Sequence, residues 1–256
     1  MKAILLAGGL GTRLSEETHL RPKPMVEIGG YPILWHIMKI YSHYGVNEFV
    51  ICLGYKGYLI KEWFANYQLH MSDVTFDMTS GDRIVHRDGS EPWKVTLIDT
   101  GEQTQTGGRL GRVRHLLQED ESFCLTYGDG LANIDIDLLI SAHDASKLWA
   151  TITAVQPPGR YGALNIAENK VIEFVEKPQG DQAWINGGFL VLGPRVFDFI
   201  EGDNTSLESE VLPRLAEQGK LGVFQHSDFW QPMDTLREKT QLEKMWTSDS
   251  APWRVW

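Results

Sequence analysis

The chemistry of this chain is concentrated where an apolar run, Ala3-Ile4-Leu5-Leu6-Ala7, passes directly into Gly8-Gly9-Leu10-Gly11-Thr12-Arg13. The run reads as a buried strand and the glycines as a turn. Glycine lets backbone come close to a ligand, and successive backbone N–H groups in such a turn form an anion-binding concavity. Arg13 closes the turn with a planar fork of donors suited to phosphate. Lys23 stands between Pro22 and Pro24, which hold the local backbone extended. Together these residues form a cradle for a nucleoside triphosphate. Further on, Ser122–Tyr127 reads as a strand that ends in Gly128-Asp129-Gly130. An aspartate at the carboxyl end of a parallel strand lies in the crevice where α/β sheets bind ligands, so Asp129 is a candidate magnesium ligand. An aspartate between glycines is also an ordinary turn residue.

Two other phosphate loops are excluded. A P-loop ends in Gly-Lys-Ser/Thr, whereas this loop ends in Gly-Thr-Arg. The dinucleotide fingerprint needs a third glycine where Leu14 stands, which disfavours a dinucleotide-dependent oxidoreductase.

The pattern GGxGTRL followed by KPM resembles the signature of the sugar-phosphate nucleotidyltransferases, and the similarity runs over essentially the whole chain. The longer run LSEETHLRPKPMVEIGGYPILWHIM looks most like the glucose-1-phosphate cytidylyltransferase branch. This resemblance implies CTP and glucose 1-phosphate as substrates, Mg²⁺ as cofactor, a homo-oligomer, and a place in bacterial surface polysaccharide (O-antigen) synthesis. It implies catalytic roles for Arg13 and Lys23. It places the nucleotide against Leu6, Ala7, Gly8, Gly9, Leu10, Gly11, Thr12, Arg13, Lys23 and Gly128. Thr104 and Arg109 fall in the segment that reads the base. Glu176, Lys177, Asn186 and Gly187 fall in the part that binds the sugar phosphate. A second metal-binding carboxylate falls at Asp234; an aspartate ahead of a helix is also a good N-cap, and both readings are open. Other expectations consistent with the motif are the same chemistry with UTP or dTTP, and a non-catalytic nucleotide-binding regulator.

These residues need a frame. The chain has 256 residues, 42% hydrophobic and 23% charged, enough for one large domain with a substantial core. A net charge of −10 argues against nucleic acid or an anionic membrane as partner. No apolar run is long enough to span a bilayer, and the amino terminus lacks a signal-peptide pattern. Cys52 and Cys124 lie in apolar strand-like runs and read as reduced core thiols. A cytoplasmic setting is expected.

The alternation of strands and helices predicts an α/β fold: a Rossmann-like mixed, mainly parallel sheet flanked by helices, as in glycosyltransferase-A-like nucleotidyltransferases. Leu34, Ile37, Met38 and Tyr41 share one face of a helix, and His36 and His43 read as helix-surface residues. Residues 71–98, including Val95–Ile98, read as an antiparallel insertion. Gln103–Arg109 reads as a flexible polar segment ahead of a helix around Val113–Glu119. A cation at that helix's amino end opposes its dipole, which favours a ligand contact for Arg109. Residues 1–135 form the nucleotide-binding half of a single domain, and 136–256 the sugar-binding half with carboxyl-terminal helices. The tail from Met245 to Trp256 is unusually aromatic, so docking on the body or on a second subunit is expected.

Overall fold

A computed structural model gives the structure of residues 1–117, 120–157, 163–167, 170–175 and 184–256, apart from the side chains of Arg13, Ser15, Glu16, 163–167 and 173–175. In chain order, β1 (Lys2–Ala7) leads through α1 (Ser15–Thr18) to the small ribbon β2 (Glu27–Ile28) and β3 (Tyr31–Pro32), then α2 (Ile33–His43) and β4 (Glu48–Leu53). Helices α3 (Gly57–Ala65) and α4 (Tyr67–Met71) precede β5 (Asp73–Phe76), β6 (Arg83–Arg87) and β7 (Lys94–Asp99). Then come α5 (Thr106–Arg112), β8 (Phe123–Tyr127), β9 (Gly130–Ala132), α6 (Ile136–Ser146) and β10 (Ala150–Val155). The remainder comprises β11 (Ala163–Ala167), β12 (Lys170–Val175), β13 (Ile185–Leu192), α7 (Leu212–Glu217), β14 (Leu221–His226), β15 (Trp230–Pro232) and α8 (Leu236–Thr247).

The main sheet has the order β14-β10-β13-β8-β1-β4-β7. β1 is parallel to both β4 and β8, β4 to β7, and β10 to β14; β13 alone runs against its neighbours β8 and β10. This is the expected mixed, mostly parallel sheet. β1 lies inside it, which explains its unbroken apolar run: side chains alternate between faces, and both faces are buried. Ala3, Leu5 and Ala7 join one core with α2, whereas Ile4 and Leu6 join the other with Leu110, Val113 and α7.

The insertion is smaller than the sequence suggests. β5 and β6 form a separate antiparallel pair, but β7 leaves it and closes the main sheet, in parallel register with β4 from Glu48↔Lys94 to Leu53↔Asp99. On the arm, Phe76, Met78 and Ile84 are exposed.

The aromatic tail folds onto the chain's own body. Trp253 is fully buried, stacks on Phe229 and Trp246, and donates its indole N–H to His36 Nδ1 at 3.4 Å. His36 is therefore a core residue, with Nε2–H donating to the Ile28 carbonyl at 2.8 Å. Its other face explains why: α2 buries Ile33, Trp35, His36 and Ile40 in addition to the expected stripe. Burial pulls the His36 pKa down to about 4. The ring folds neutral, so the unfolded chain takes up its proton first as pH falls, and stability is lost between about pH 6.5 and pH 4. We expect the wild-type melting temperature to fall across that window and His36→Gln to flatten the slope, as measured by circular dichroism at several pH values.

Candidate active site

The carboxyl ends of β1 and β8 lie side by side, with Gly128 N–H donating to the Leu6 carbonyl at 3.1 Å. The glycine turn after β1 and the Gly-Asp turn after β8 therefore border the same cleft, as expected for ligand sites in parallel sheets. Its volume is about 310 Å³, and it is lined by Leu6, Ala7, Gly8, Gly9, Gly11 and Thr12 of the turn, then Lys23, Thr104, Arg109, Gly128 and Asp129. Ten of the expected nucleotide contacts are thus in one place. Leu10 is exposed and is not part of the cleft lining. The Arg13 side chain lies outside the described residues, as do Glu176 and Lys177. The cleft also includes Pro24 of the Pro-Lys-Pro turn, and Gln105, Thr106 and Tyr127, which the motifs did not single out; their position beside Thr104 and Gly128 was the available signal.

Lys23 is the electrostatic centre of this cleft. Pro22, Lys23 and Pro24 form a tight turn in which the Met25 N–H donates to the Pro22 carbonyl, and the lysine is only 7% exposed. Its ammonium donates to Asp129 Oδ2 at 2.6 Å and to Asp234 Oδ1 at 2.5 Å. Asp234 reaches this point through a short ribbon: β15 pairs antiparallel with β9, Pro232 opposite Gly130, and the Met233 N–H donates to the Asp129 carbonyl. The cap of α8 is Thr235, in a capping box with Glu238. Asp234 is thereby relieved of capping, and its carboxylate faces Lys23.

Two carboxylates and one ammonium leave one net negative charge. Among the described residues no group of three or more His, Cys, Asp or Glu could hold a metal alone. That donor set fits Mg²⁺, which commonly takes one or two carboxylates and completes its shell with water and substrate phosphates.

Arg109 differs from expectation. It lies within α5, not ahead of a helix, and is 5% exposed. Its Nη1 donates to the Leu53 carbonyl, Thr100 Oγ1 and the Gly101 carbonyl, and Nη2 to the carbonyls of Gly8 and Glu102, all at 2.8–3.1 Å. The guanidinium cross-braces three loops at the cleft wall, and these acceptors occupy donors that the sequence reading assigned to the base. Gly8 must be glycine here, because a Cβ would sit 2.0 Å from Arg109 Nη1. Gly108 lets α5 pack directly on backbone: a Cβ there would lie 2.4 Å from the Asp203 carbonyl oxygen.

On the sugar side, Asn186 is the second residue of β13 and donates through Nδ2 to the Tyr127 hydroxyl at 3.1 Å. Gly187 is explained by packing, since a Cβ would meet Val155 Cγ1 at 2.6 Å; its carbonyl accepts from Trp230 Nε1 at 2.7 Å. No helix among the described residues is long and apolar enough to cross a membrane.

Known proteins share part of this sequence and its fold. The chain is 59% identical to glucose-1-phosphate cytidylyltransferase of Salmonella typhimurium over 256 residues, covering all of both chains. It is 31% identical to mannose-1-phosphate guanyltransferase of Saccharomyces cerevisiae, over 92% of this chain and 63% of that one. The crystal structure of HddC from Yersinia pseudotuberculosis superposes with a TM-score of 0.69 at 25% identity, covering 96% of this chain and 99% of that one. UDP-glucose pyrophosphorylase, at 14% identity and a TM-score of 0.69 over 97% and 98% of the two chains, shares the fold. The family model described as nucleotidyl transferase matches residues 2–238. With its glycine turn, buried lysine and paired aspartates on that sheet, the chain belongs to the nucleotidyl transferase family.

Proposed function

We infer that the protein transfers CMP from CTP to α-D-glucose 1-phosphate, giving CDP-glucose and pyrophosphate. The observation that carries this reading is the full-length 59% identity to a glucose-1-phosphate cytidylyltransferase, on a chain whose cleft sets Lys23 between Asp129 and Asp234. An oxygen of the sugar phosphate attacks the α-phosphorus in line, the P–O bond to the β-phosphate breaks, and pyrophosphate leaves. The nucleophile is already anionic, so no base is required. The barrier comes from bringing two anions together and from charge on the leaving group, so catalysis is positioning and electrostatics.

Roles follow from chemistry and position. The first turn's N–H groups and Arg13 hold the β- and γ-phosphates. Lys23 neutralises the α-phosphate; an ammonium has three N–H groups, and two are aimed at carboxylates. Asp129 and Asp234 would hold Mg²⁺, which supplies charge neutralisation at phosphate oxygens. Thr104 and the wall braced by Arg109 border the base. Glu176, Lys177, Asn186 and Gly187 take the sugar phosphate. On this reading residues 1–135 bind nucleotide and 136–256 bind sugar. We place the reaction in the cytoplasm, consistent with CTP as substrate and with the free, buried thiols Cys52 and Cys124. The protein works as a homo-oligomer, for which the exposed apolar residues of the β5–β6 arm are the contact we favour over the tail, which is already packed.

Competition among CTP, UTP and dTTP in a pyrophosphate-release assay with glucose 1-phosphate and Mg²⁺ tests the reading. CTP is expected to win by at least about tenfold in kcat/KM, the discrimination that one base-edge hydrogen bond provides. Preference for UTP or dTTP would reassign the nucleotide, and binding without turnover would make the protein a regulator.

A further inference from the structure

Glu208 lies outside the cleft lining, yet three polar groups converge on it. It sits on a single π-helical turn, Leu207–Val211, ahead of α7; such turns are uncommon and frequent at functional sites. Its Oε1 accepts from the Tyr127 hydroxyl at 2.6 Å. Its Oε2 accepts from Thr106 Oγ1 at 2.6 Å and from Ser206 Oγ at 3.2 Å. Tyr127 and Thr106 both line the cleft. The Tyr127 hydroxyl in turn accepts from Asn186 Nδ2 at 3.1 Å, and Asn186 Oδ1 accepts from the Gly188 N–H at 2.9 Å.

The direction of every bond in this chain is determined. An ionised carboxylate only accepts, so the single Tyr127 proton goes to Glu208. The tyrosine oxygen is then left as an acceptor, and Asn186 must present its amino group to it. From the other end, a backbone N–H only donates, so Gly188 requires Asn186 Oδ1. Both ends impose the same carboxamide orientation. One Asn186 N–H is bound to Tyr127, and the second remains to donate to a ligand oxygen. Burial and the Glu208 charge push the Tyr127 phenol far above its usual range, so it stays protonated.

We propose that Glu208 is a positioning residue that, through Tyr127, fixes Asn186 as a hydrogen-bond donor to an oxygen of the sugar phosphate. The proposal rests on the reading of Asn186 as part of the sugar-phosphate site. Thr106 keeps a second anchor, because its Oγ1 accepts from the Leu207 N–H at 2.9 Å, so the nucleotide side depends less on Glu208.

The test combines kinetics with an observable independent of turnover. Glu208→Leu and Tyr127→Phe are each expected to raise KM for glucose 1-phosphate about tenfold, the worth of one hydrogen bond to a charged group, with KM for CTP changing less than about threefold. The double variant should be no worse than Tyr127→Phe alone, because both act through one link. Equal rises in both KM values, no change, or a multiplicative double variant would overturn the proposal. In ¹⁵N–¹H spectra, the Asn186 carboxamide pair, assigned by its loss in Asn186→Asp, should shift in free Glu208→Leu and move with added glucose 1-phosphate in wild type. If wild type neither binds nor turns over that sugar phosphate, the substrate reading fails. Glu208 is then judged on the free-protein spectrum alone, and an unmoved carboxamide pair refutes its role.

Discussion

Lys23→Ala is expected to lower turnover by about 10²–10³ while the protein remains folded, the scale for losing one preorganised charge at a reacting group. The structure makes this the most severe single loss, because the same ammonium faces the substrate cleft and joins Asp129 to Asp234. Without it the two carboxylates carry a net charge of −2 where they carried −1. A second consequence has the opposite sign: Mn²⁺, as a spectroscopic substitute for Mg²⁺, should bind the nucleotide-free variant more tightly than wild type. Electron paramagnetic resonance measures the metal, pyrophosphate release measures turnover, and circular dichroism checks the fold. Near-wild-type turnover in Lys23→Ala, and in Arg13→Ala alongside it, would mean that the phosphates bind elsewhere. Unchanged Mn²⁺ affinity would remove Asp129 and Asp234 as its ligands.

Arg109→Ala should damage stability and nucleotide binding together. Five acceptors lose one donor each, among them the carbonyls of Leu53 and Gly8 in contacts sealed from solvent. Leaving such groups unsatisfied costs about 1–3 kcal/mol each; with partial repair by water and by the Thr100 and Tyr55 N–H groups that already reach the same carbonyls, a total of about 3–5 kcal/mol is expected. That corresponds to a fall in melting temperature of roughly 10 °C. Arg109→Lys should recover little, because a point charge cannot span a fork of carbonyls. KM for CTP should rise in both variants, since the Gly8 turn loses its brace. A variant that melts like wild type yet loses CTP affinity would show instead that Arg109 reads the base directly.

Much of this site was legible because its signals are local. An apolar run ending in glycines announces both a buried strand and a close backbone approach, and the Pro-Lys-Pro turn lies a short distance along the chain. Glycine, proline and buried-strand patterns act through neighbouring residues, which is what a sequence displays directly. Pairings between distant segments are different. The ribbon β9–β15 has three residues on each side, too short for periodicity, so the meeting of Asp129 with Asp234 came from resemblance alone. Val95–Ile98 looked like part of the arm because it follows two similar short strands, whereas its partner is β4. His36 reads as a surface residue because one stripe of α2 is strongly apolar; the aromatic tail that covers its opposite side is far away in sequence. Glu208 reads as a solvated helix residue until Tyr127 and Thr106 are brought beside it.

The lysine that bridges the two aspartates connects positions separated by 106 and 211 residues. On the ribosome, the glycine turn emerges early, and the sheet strand carrying the first aspartate follows at mid-synthesis. The second aspartate appears only as translation nears its close. A nascent chain therefore holds a charge-balanced lysine–aspartate pair without its second carboxylate and no working centre, and amino-terminal fragments made by premature termination should be inert however well they fold.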